Sequence, residues 1–220
     1  MTPQEFSVEF DILYNNLASN TAPPIDEYEK SVLLTKAQSD IVLELYSGRN
    51  SLGLSYENSE EIRVYLKALL CSQPDVTYTT TPLSGEYSVT MPEYIWLVTR
   101  EEVGGTPVVT VTQDEYSRIK NNPFKKASSF RALRVSDTGN TCLLVHRLPT
   151  DKGLPIYKIW GLKKPTPIIL EGINDATLTI DGYDASSSLE CILDSSIHRM
   201  ILDRAVLYAK QAYIGGQTQE

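Results

Sequence analysis

The residues best suited to acid–base chemistry in this sequence are its two histidines, because imidazole titrates near neutral pH. His198 lies four residues after Asp194 and close to Ser195 and Ser196, the residue types of a catalytic triad. A triad is assembled in space from separate elements, and neighbours on one helix cannot present it. His146 lies in an alternating apolar segment, where we expect a solvent-facing or hydrogen-bonded structural role. We therefore predict that neither histidine is catalytic. The four-residue spacing of Asp194 and His198 also allows a local pair.

Paired carboxylates and cysteines offer no better candidate for a reactive site. Glu60-Glu61 and Glu101-Glu102 are adjacent in sequence, but adjacent side chains diverge on a helix and point to opposite faces of a strand, so we predict solvated charges. Cys71, Cys142 and Cys191 are far apart and form no CxxC pair, which predicts reduced, buried thiols without a disulfide or a zinc site. Common hydrolase, metalloprotease, P-loop and dinucleotide motifs are also absent from the sequence, so we predict no catalytic residues, cofactor or metal.

The densest basic cluster lies in the middle of the chain, beside aromatic residues. It comprises Lys125, Lys126, Arg131 and Arg134, next to Phe124 and Phe130. Such a pattern can bind nucleic acid, but a net charge of −8 and a pI near 4.9 argue against a grasped phosphate backbone. The remaining interpretations are a solvated loop and a contact with an acidic neighbouring chain. We favour the contact, because residues 1–75 and 171–220 carry net charges of −7 and −5, whereas residues 76–170 carry +4.

Helical signals occupy both ends of the chain. Capping patterns predict helices that begin at Thr2-Pro3, at Asp26 and at Asn58, the second ending at Gly48 and the third at Pro74. Apolar residues at helical spacing mark their inward faces: Phe6, Phe10, Leu13, Leu17, Leu34, Ala37, Ile41, Leu45, Ile62, Leu66 and Leu69. Amphipathic helices with short links cannot each bury a face alone, so we predict one bundle.

A last helix of about 20 residues is predicted from Asp194 or Ser195 to Gly215-Gly216. Apolar side chains occur nearly all around it, which is typical of a central helix. We predict that it packs against the N-terminal helices. The residues predicted to be central to this packing are Ile197, Ile201, Ala205 and Tyr208.

From about residue 76 the pattern is that of β-structure. Hairpins are predicted around Gly104-Gly105 and around Asp137–Asn140. The predicted strands are Tyr94–Thr99, Val108–Thr112, Ala132–Val135, Cys142–Arg147, Leu154–Leu162, Ile168–Leu170 and Ala176–Ile180. A capping box formed by Thr112 and Glu115 predicts a short helix over residues 113–121.

These elements predict an α+β fold. Residues 1–75 and 190–216 form a helical core, and residues 76–189 form a β-rich region of hairpins, a small sheet or a barrel, inserted into the core or extending from it. Residues 217–220 are predicted to be a flexible tail. The first residues lack the pattern of a signal peptide, and no stretch approaches the apolar length of a bilayer span, so we expect a protein made in a cytoplasm.

Several segments, in order along most of the chain, carry a resemblance to a known family. At the start they are EFSVEFDILYNNL (residues 5–17) and DEYEKSVLLTKAQSDIVLEL (residues 26–45). In the middle they are DEY (114–116), NPF (122–124) and KPTPIIL (164–170), and at the end Cys191, His198, IL (201–202) and RAV (204–206). Together they resemble the virion ring and neck (head-to-tail connector) proteins of crAss-like phages.

The resemblance implies a homo-oligomeric ring, of twelve copies, around the DNA channel of the portal–neck–tail assembly. The implied partners are the portal protein, other neck rings or tail proteins, with no cofactor and no membrane. Passing DNA would not be bound specifically. An adaptor docked on the portal and a ring nearer the tail both suit the resemblance. Terminal helices around a β-rich middle are also similar to head-to-tail adaptors, an analogy of fold alone.

Two other classes of protein compete with a virion ring. A small phage enzyme would need a cleft with perturbed titratable residues, and the sequence points to none. A free regulatory or inhibitory phage protein would be absent from washed virions, which contain structural proteins in stoichiometric amounts. Thirteen tyrosines against four phenylalanines fit either a protein rich in contact surface or compositional drift.

Overall fold

The computed structural model describes residues 1–17, 24–50, 53–80, 85–136, 140–148, 154–175 and 177–217. The chain divides into two compact units. We call Met1–Leu69 with Pro165–Glu220 the helical unit, and Leu70–Lys164 the β unit. The predicted β-rich region extended to residue 189, whereas residues 165–189 belong to the helical unit. Of the residues predicted to form a flexible tail, 218–220 lie outside the described part of the chain.

Helices are placed at both ends of the chain, as the sequence predicts. Four helices lie there: α1 (Pro3–Leu17), α2 (Glu27–Ser47), α3 (Glu60–Tyr65) and α5 (His198–Gln217). The short helix α4 (Gln113–Ile119) lies in the β-rich middle. The predicted capping box of α1 is confirmed, because Thr2 and Glu5 exchange backbone-to-side-chain hydrogen bonds of 2.8 and 3.2 Å. Asp26 caps α2 by accepting from the Glu29 backbone N–H, and Gly48 ends that helix at φ = 75°. Both observations confirm the predicted limits of α2.

The third helix differs from its prediction. Its N-cap is Ser59 rather than Asn58, and the helix ends at Tyr65, well before Pro74. A 3₁₀ turn at Lys67–Leu69 leads directly into a strand. The inward residues Leu66 and Leu69 are fully buried as predicted. The strand forms because its backbone groups find partners in a distant segment, Tyr157–Leu162, and a long-range pairing of this kind leaves no local signal.

Helix α5 packs against both α1 and α2. Its inward face is closed to solvent and includes Ile201, Leu202 and Ala205, each with no exposed surface. The predicted packing against the N-terminal helices is confirmed. Not every apolar residue of α5 is buried, since Met200 and Leu207 are each 46% exposed. None of the described helices is long and apolar enough to cross a bilayer.

Residues 165–170 lie along α2, and the predicted strand over Ile168–Leu170 is reduced to a single antiparallel bridge between Ile169 and Leu189. Ser31 and Thr35 accept the backbone N–H groups of Leu170 and Ile168 at 3.0 and 3.1 Å. The side-chain amide of Gln38 donates to the Thr166 carbonyl at 2.8 Å. These α2 side chains satisfy a buried backbone that would otherwise need a sheet partner. Further on, a two-stranded sheet pairs β9 (Thr179–Ile180) with β10 (Tyr183–Asp184). Ala176, predicted to start a strand here, lies outside the described residues.

The β unit is one curled eight-stranded sheet. Its strands are β1 (Leu70–Gln73), β2 (Tyr78–Thr80), β3 (Glu86–Thr90), β4 (Leu97–Val103), β5 (Thr106–Val111), β6 (Ala132–Ser136), β7 (Thr141–Val145) and β8 (Tyr157–Leu162). Their order is β1-β8-β4-β5-β6-β7-β3-β2, antiparallel except for the β5–β6 pair. The two edge strands are consecutive in the chain, and Val76 in their short link donates to the Tyr157 carbonyl at 2.9 Å. The sheet therefore curls around its own core.

Residues from most of the strands fill this core. They are Val76, Tyr78, Tyr87, Val89, Val103, Ala132, Leu144, Tyr157 and Ile159. Both predicted hairpins are present: Gly104 and Gly105, at φ = 53° and 80°, join β4 to β5, and β6 pairs with β7. Residues Asp137–Gly139 of the second turn lie outside the described part of the chain. The outer face of β5 and β6 is covered by α4 and by residues 120–131, with Ile119 and Ala127 buried there.

Candidate subunit-contact surfaces

The segment after α4 is a loop held in one conformation by its own hydrogen bonds. We call residues 122–131 the aromatic loop. Asn122 starts it, accepting the backbone N–H of Phe124 on its side chain and that of Lys126 on its carbonyl, both at 3.0 Å. The Arg131 guanidinium donates to the carbonyls of Phe124 and Lys126 at 3.2 and 3.4 Å. Because these bonds order the loop in advance, a partner would bind it without a large entropic cost.

Two phenylalanines project from this loop into solvent. Phe124 is 91% exposed and Phe130 is 83% exposed, whereas Phe6 and Phe10 in the helical unit are fully buried. A large aromatic side chain that stays in water forgoes the favourable free energy of its burial. A pair of them on an ordered loop is typical of the anchor residues of a protein–protein contact.

The predicted basic cluster is only partly assembled on this loop. Lys125 is exposed, and Lys126 and Arg131 are half-buried beside the two phenylalanines. Arg134 is not with them: on β6 its guanidinium pairs with Glu101 at 2.8 Å and donates to the Thr110 hydroxyl at 2.9 Å. The structure thus brings together three of the four predicted contact residues.

The Arg134 pair lies in the interior of the curled sheet. Its two side chains are 12% and 3% exposed, and the Tyr157 hydroxyl donates to the same Glu101 carboxylate at 2.7 Å. The prediction that Glu101 is a solvated charge is therefore wrong. Burial opposes the charged form of Arg134, but the Glu101 carboxylate outweighs it and raises the pKa of Arg134 above its usual value. Burial, followed by the charge of Glu101, also raises the pKa of Tyr157.

A cavity of about 330 Å³ with a mixed lining of charged and apolar residues opens beside the aromatic loop. Glu86 lies in its lining, where it accepts from the Tyr116 hydroxyl at 2.8 Å and pairs with Lys120 at 3.2 Å. Burial, and then the hydrogen bond to Glu86, raises the pKa of Tyr116 to about 12. Lys126 and Arg147 complete the basic part of the lining. This surface suits polar or acidic groups of a partner.

The helical unit carries a different kind of surface feature, an apolar recess of about 370 Å³. We call it the helical recess. It lies among α1, α2 and α5 and is lined by Tyr14, Ile25, Tyr28, Glu29, Val32, Leu33, Ala209, Ala212 and Tyr213. Glu29 is an exposed, charged member of this lining. An apolar recess with a single acidic member is a surface that a partner's apolar side chain can fill.

Comparison with known proteins agrees with the resemblance seen in the sequence. All of residues 1–220 match the family model described as phage tail ring protein 3/4. The chain belongs to this family. It is 35% identical to "Ring protein 3" of Bacteroides phage crAss001 over 229 residues, an alignment covering 95% of each chain. It is 34% identical to "Ring protein 4/5" of the same phage, covering 98% of this chain and 94% of that one. Such relatives are consistent with a structural role in the virion.

The four residues predicted to be central to the helical packing lie in or just before α5, the helix that packs against α1 and α2. Ile197, Ile201 and Ala205 have no exposed surface. Tyr208 is half-buried, and its hydroxyl donates to Asp40 on α2 at 2.7 Å. One turn earlier, Arg204 forms two hydrogen bonds with Glu44, at 2.7 and 3.0 Å. Apolar packing and polar links on one helix therefore fix α5 to α2.

The histidines of this ring-family chain are held in structural environments. His198 Nε2 is 3.0 Å from the Leu193 carbonyl, and its Nδ1 is 2.7 Å from the Met1 α-amino group. The Asp194 carboxylate accepts the Ser196 N–H at 2.9 Å and so caps the turn before α5, and its negative charge also acts on the His198 imidazole. His146 is buried and stacks on Tyr87 with ring centroids 4.4 Å apart. Burial lowers the pKa of both imidazoles.

The side chains able to bind a metal ion are scattered over the described residues. That part of the chain contains no cluster of three or more His, Cys, Asp or Glu side chains that could hold an ion. Cys142 is buried, and Cys71 and Cys191 are half-buried, all as free thiols. Burial raises the pKa of Cys191 to about 11, which keeps this thiol protonated and unreactive at neutral pH.

Proposed function

We propose that this chain is a structural subunit of a homo-oligomeric ring in the portal–neck–tail assembly of a tailed phage, and that it is not an enzyme. The observation that carries the proposal is the exposure of Phe124 and Phe130 on an ordered loop. Monomeric proteins seldom keep such side chains in water, whereas assembling subunits bury them between copies. The names of the two phage relatives support the ring itself.

The proposed ring has twelve subunits and surrounds the channel through which DNA passes. Twelve is the symmetry expected of a ring stacked on a phage portal. Its partners are the portal protein, other neck rings or tail proteins, and its location is the neck region of the virion. Either the position next to the portal or one nearer the tail fits the proposal.

Charge supports a channel that does not bind DNA. The helical unit carries 19 acidic and 8 basic residues, a net charge of −11, whereas the β unit carries 9 acidic and 12 basic residues, a net charge of +3. Phosphate binding requires concentrated cations, and like charge opposes it. We propose that acidic surface of the helical unit lines the channel, so that DNA slides past without being held.

A symmetry-resolved reconstruction of the particle neck tests this function. We expect twelve copies of the chain arranged around the channel axis, and a matching copy number by quantitative mass spectrometry of washed particles. A single copy on the axis, or absence of the chain from washed particles, would refute the proposal.

Charge reversal on the aromatic loop tests its part in assembly. The double variant Lys125→Glu/Lys126→Glu should enter particles more slowly or not at all, because its charges no longer complement an acidic neighbour. Its melting temperature should stay that of the wild type, since Lys125 is exposed and Lys126 half-exposed. The matched control is Lys163→Glu/Lys164→Glu, which makes the same change of net charge at two exposed positions of the β unit. Equal incorporation of both variants at low salt would exclude a role for this charge.

A further inference from the structure

We infer that the aromatic loop of one subunit inserts Phe124 and Phe130 into the helical recess of the next copy of this chain. The inference rests on the proposed ring function and names the contact that closes the ring. It joins two features that the described residues show separately: two exposed apolar side chains and an apolar recess.

The size and chemistry of the recess fit an aromatic side chain. A cavity of about 150 Å³ lined by aliphatic and aromatic groups holds a benzene ring, and the helical recess offers about 370 Å³. Val32 on its wall is 40% exposed, so an apolar wall faces solvent in the isolated subunit. The cavity beside the aromatic loop suits a phenyl ring less well, because Glu86, Lys120 and Lys126 line it.

Ring symmetry explains why the occupant is a second copy. A closed cyclic ring uses a heterologous contact, in which one patch of a subunit meets a different patch of the next. The aromatic loop belongs to the β unit and the helical recess belongs to the helical unit. Each subunit thus carries both halves of the contact on different parts of its chain, as a head-to-tail ring requires.

Charge favours the same pairing. Lys125 and Lys126 follow Phe124 directly, and Arg131 follows Phe130. Glu29 belongs to the lining of the recess, and the helical unit as a whole has a net charge of −11. When the phenylalanines enter the recess, the cations beside them reach this acidic surface. Complementary charge of this kind steers encounter and selects the partner surface.

Two complementary variants test the contact in solution. The loop variant, Phe124→Asp/Phe130→Asp, keeps an intact recess, and the recess variant, Val32→Asp, keeps an intact loop. Neither should assemble alone, with self-association weakened by at least about tenfold, because truncating an anchor residue typically costs that much. An equal mixture should form a heterodimer and nothing larger in sedimentation, since only one productive pairing remains. A mixture that behaves as its components do, under conditions where the wild type forms rings, would overturn the inference.

Folding must be preserved for this comparison. The substituted side chains are exposed, so each variant should melt within a few degrees of the wild type. Ile12→Asp is the matched control, because Ile12 is 53% exposed on α1 and does not line the recess. The control protein should assemble as the wild type does. Unfolding of the helical unit by Val32→Asp would mean that residues of the same subunit bury Val32. The recess would then be unavailable to a second copy, and the inference would be wrong.

Photo-crosslinking in assembled particles tests the same contact without purified rings. A photoreactive phenylalanine analogue at position 124 should join residues 25–33 or 209–213 of a second copy, giving a product of twice the chain mass on a denaturing gel. A crosslink within one chain, or to another virion protein, would overturn the inference and leave the proposed ring standing. Absence of the chain from particles would instead refute the proposed function.

Discussion

Replacing Arg134 with alanine would break a buried ion pair inside the β unit. Arg134 Nε lies 2.8 Å from Glu101, with side chains 12% and 3% exposed. Tyr157 donates to the same carboxylate at 2.7 Å. The substitution removes the positive charge and leaves the Glu101 carboxylate with one remaining neutral donor of this network.

The size of the effect follows from that geometry. Two unit charges 2.8 Å apart attract by about 6 kcal/mol at an effective dielectric constant of about 20, and the cost of removing both from water offsets part of it. Deleting one partner retains the burial cost of the other charge, so we expect a loss of about 3–5 kcal/mol. For a unit of roughly this size, such a loss lowers the melting temperature by more than about 10 °C.

Thermal and urea denaturation of the purified chain would measure this loss. Lys125→Ala is the control on the aromatic loop, and should change stability by less than about 0.5 kcal/mol because its side chain is exposed. The triple variant Arg134→Met/Glu101→Leu/Tyr157→Phe should recover most of the loss, since it removes both charges and the Tyr157 hydroxyl that donates to Glu101. An unchanged melting temperature for Arg134→Ala, together with failed assembly, would show that Arg134 serves a subunit contact and that its pairing with Glu101 adds no stability.

Three further substitutions test the packing of each unit. Ile201→Asp buries an unpaired carboxylate and should lower the free energy of unfolding by at least about 3 kcal/mol. Met200 is 46% exposed on the same helix, so the control variant Met200→Asp should stay soluble and protease-resistant. Equal stability of the two variants would contradict the assigned inward face of α5. Burial lowers the pKa of His146 below 6.5. As the pH falls, the unfolded chain therefore binds the proton first, and the stability decreases below about pH 6.5. On acidification, the melting temperature of His146→Gln should fall less than that of the wild type, and an identical pH dependence would contradict this. Gly161→Ala would place a Cβ 2.5 Å from the Leu97 carbonyl oxygen. This clash should lower the free energy of unfolding, measured by urea denaturation, by about 1–3 kcal/mol. An unchanged free energy would mean that strands β4 and β8 can move apart at little cost.

The elements predictable from sequence were those with a local cause. Thr2 and Asp26 start their helices through hydrogen bonds to residues three positions ahead, and the signal lies entirely within that span. Gly104-Gly105 adopts positive φ in the β4–β5 hairpin, a conformation that glycine reaches without strain. In each case the residue type alone carries the structural information.

Elements whose partners are distant in sequence were missed or misassigned. Strand β1 exists because Leu70–Gln73 pairs with β8, some ninety residues away. The Ile168–Leu170 segment has the composition of a strand, yet hydroxyls of α2 accept the backbone N–H groups of Ile168 and Leu170, and only Ile169 forms a bridge, with Leu189. No periodicity within either segment distinguishes these outcomes, since both depend on which element lies alongside.

The candidate contact surface was also predictable from the sequence only in part. The sequence indicates that aromatic and basic residues are concentrated over 124–131, and the structure places them together on one loop. It does not indicate the exposure of Phe124 and Phe130, because apolar residues next to charges occur in cores and on surfaces alike. Arg134 follows Arg131 by only three residues, yet its side chain points into the sheet interior. Side chains alternate between the two faces of β6, so Arg134 lies on the same face as the buried Ala132, where it pairs with Glu101.

The magnitudes decide which part of the proposed contact holds subunits together. Exposed ion pairs contribute about 0–1 kcal/mol each, so Lys125, Lys126 and Arg131 would supply little net affinity and would act mainly on the rate and direction of encounter. Burying a phenylalanine side chain contributes about 1.5–3 kcal/mol, and two of them enter each contact. In a closed ring every subunit takes part in two such contacts, one through its loop and one through its recess. Removing a subunit therefore breaks both at once, so modest apolar anchors are enough for a ring whose isolated contact is weak.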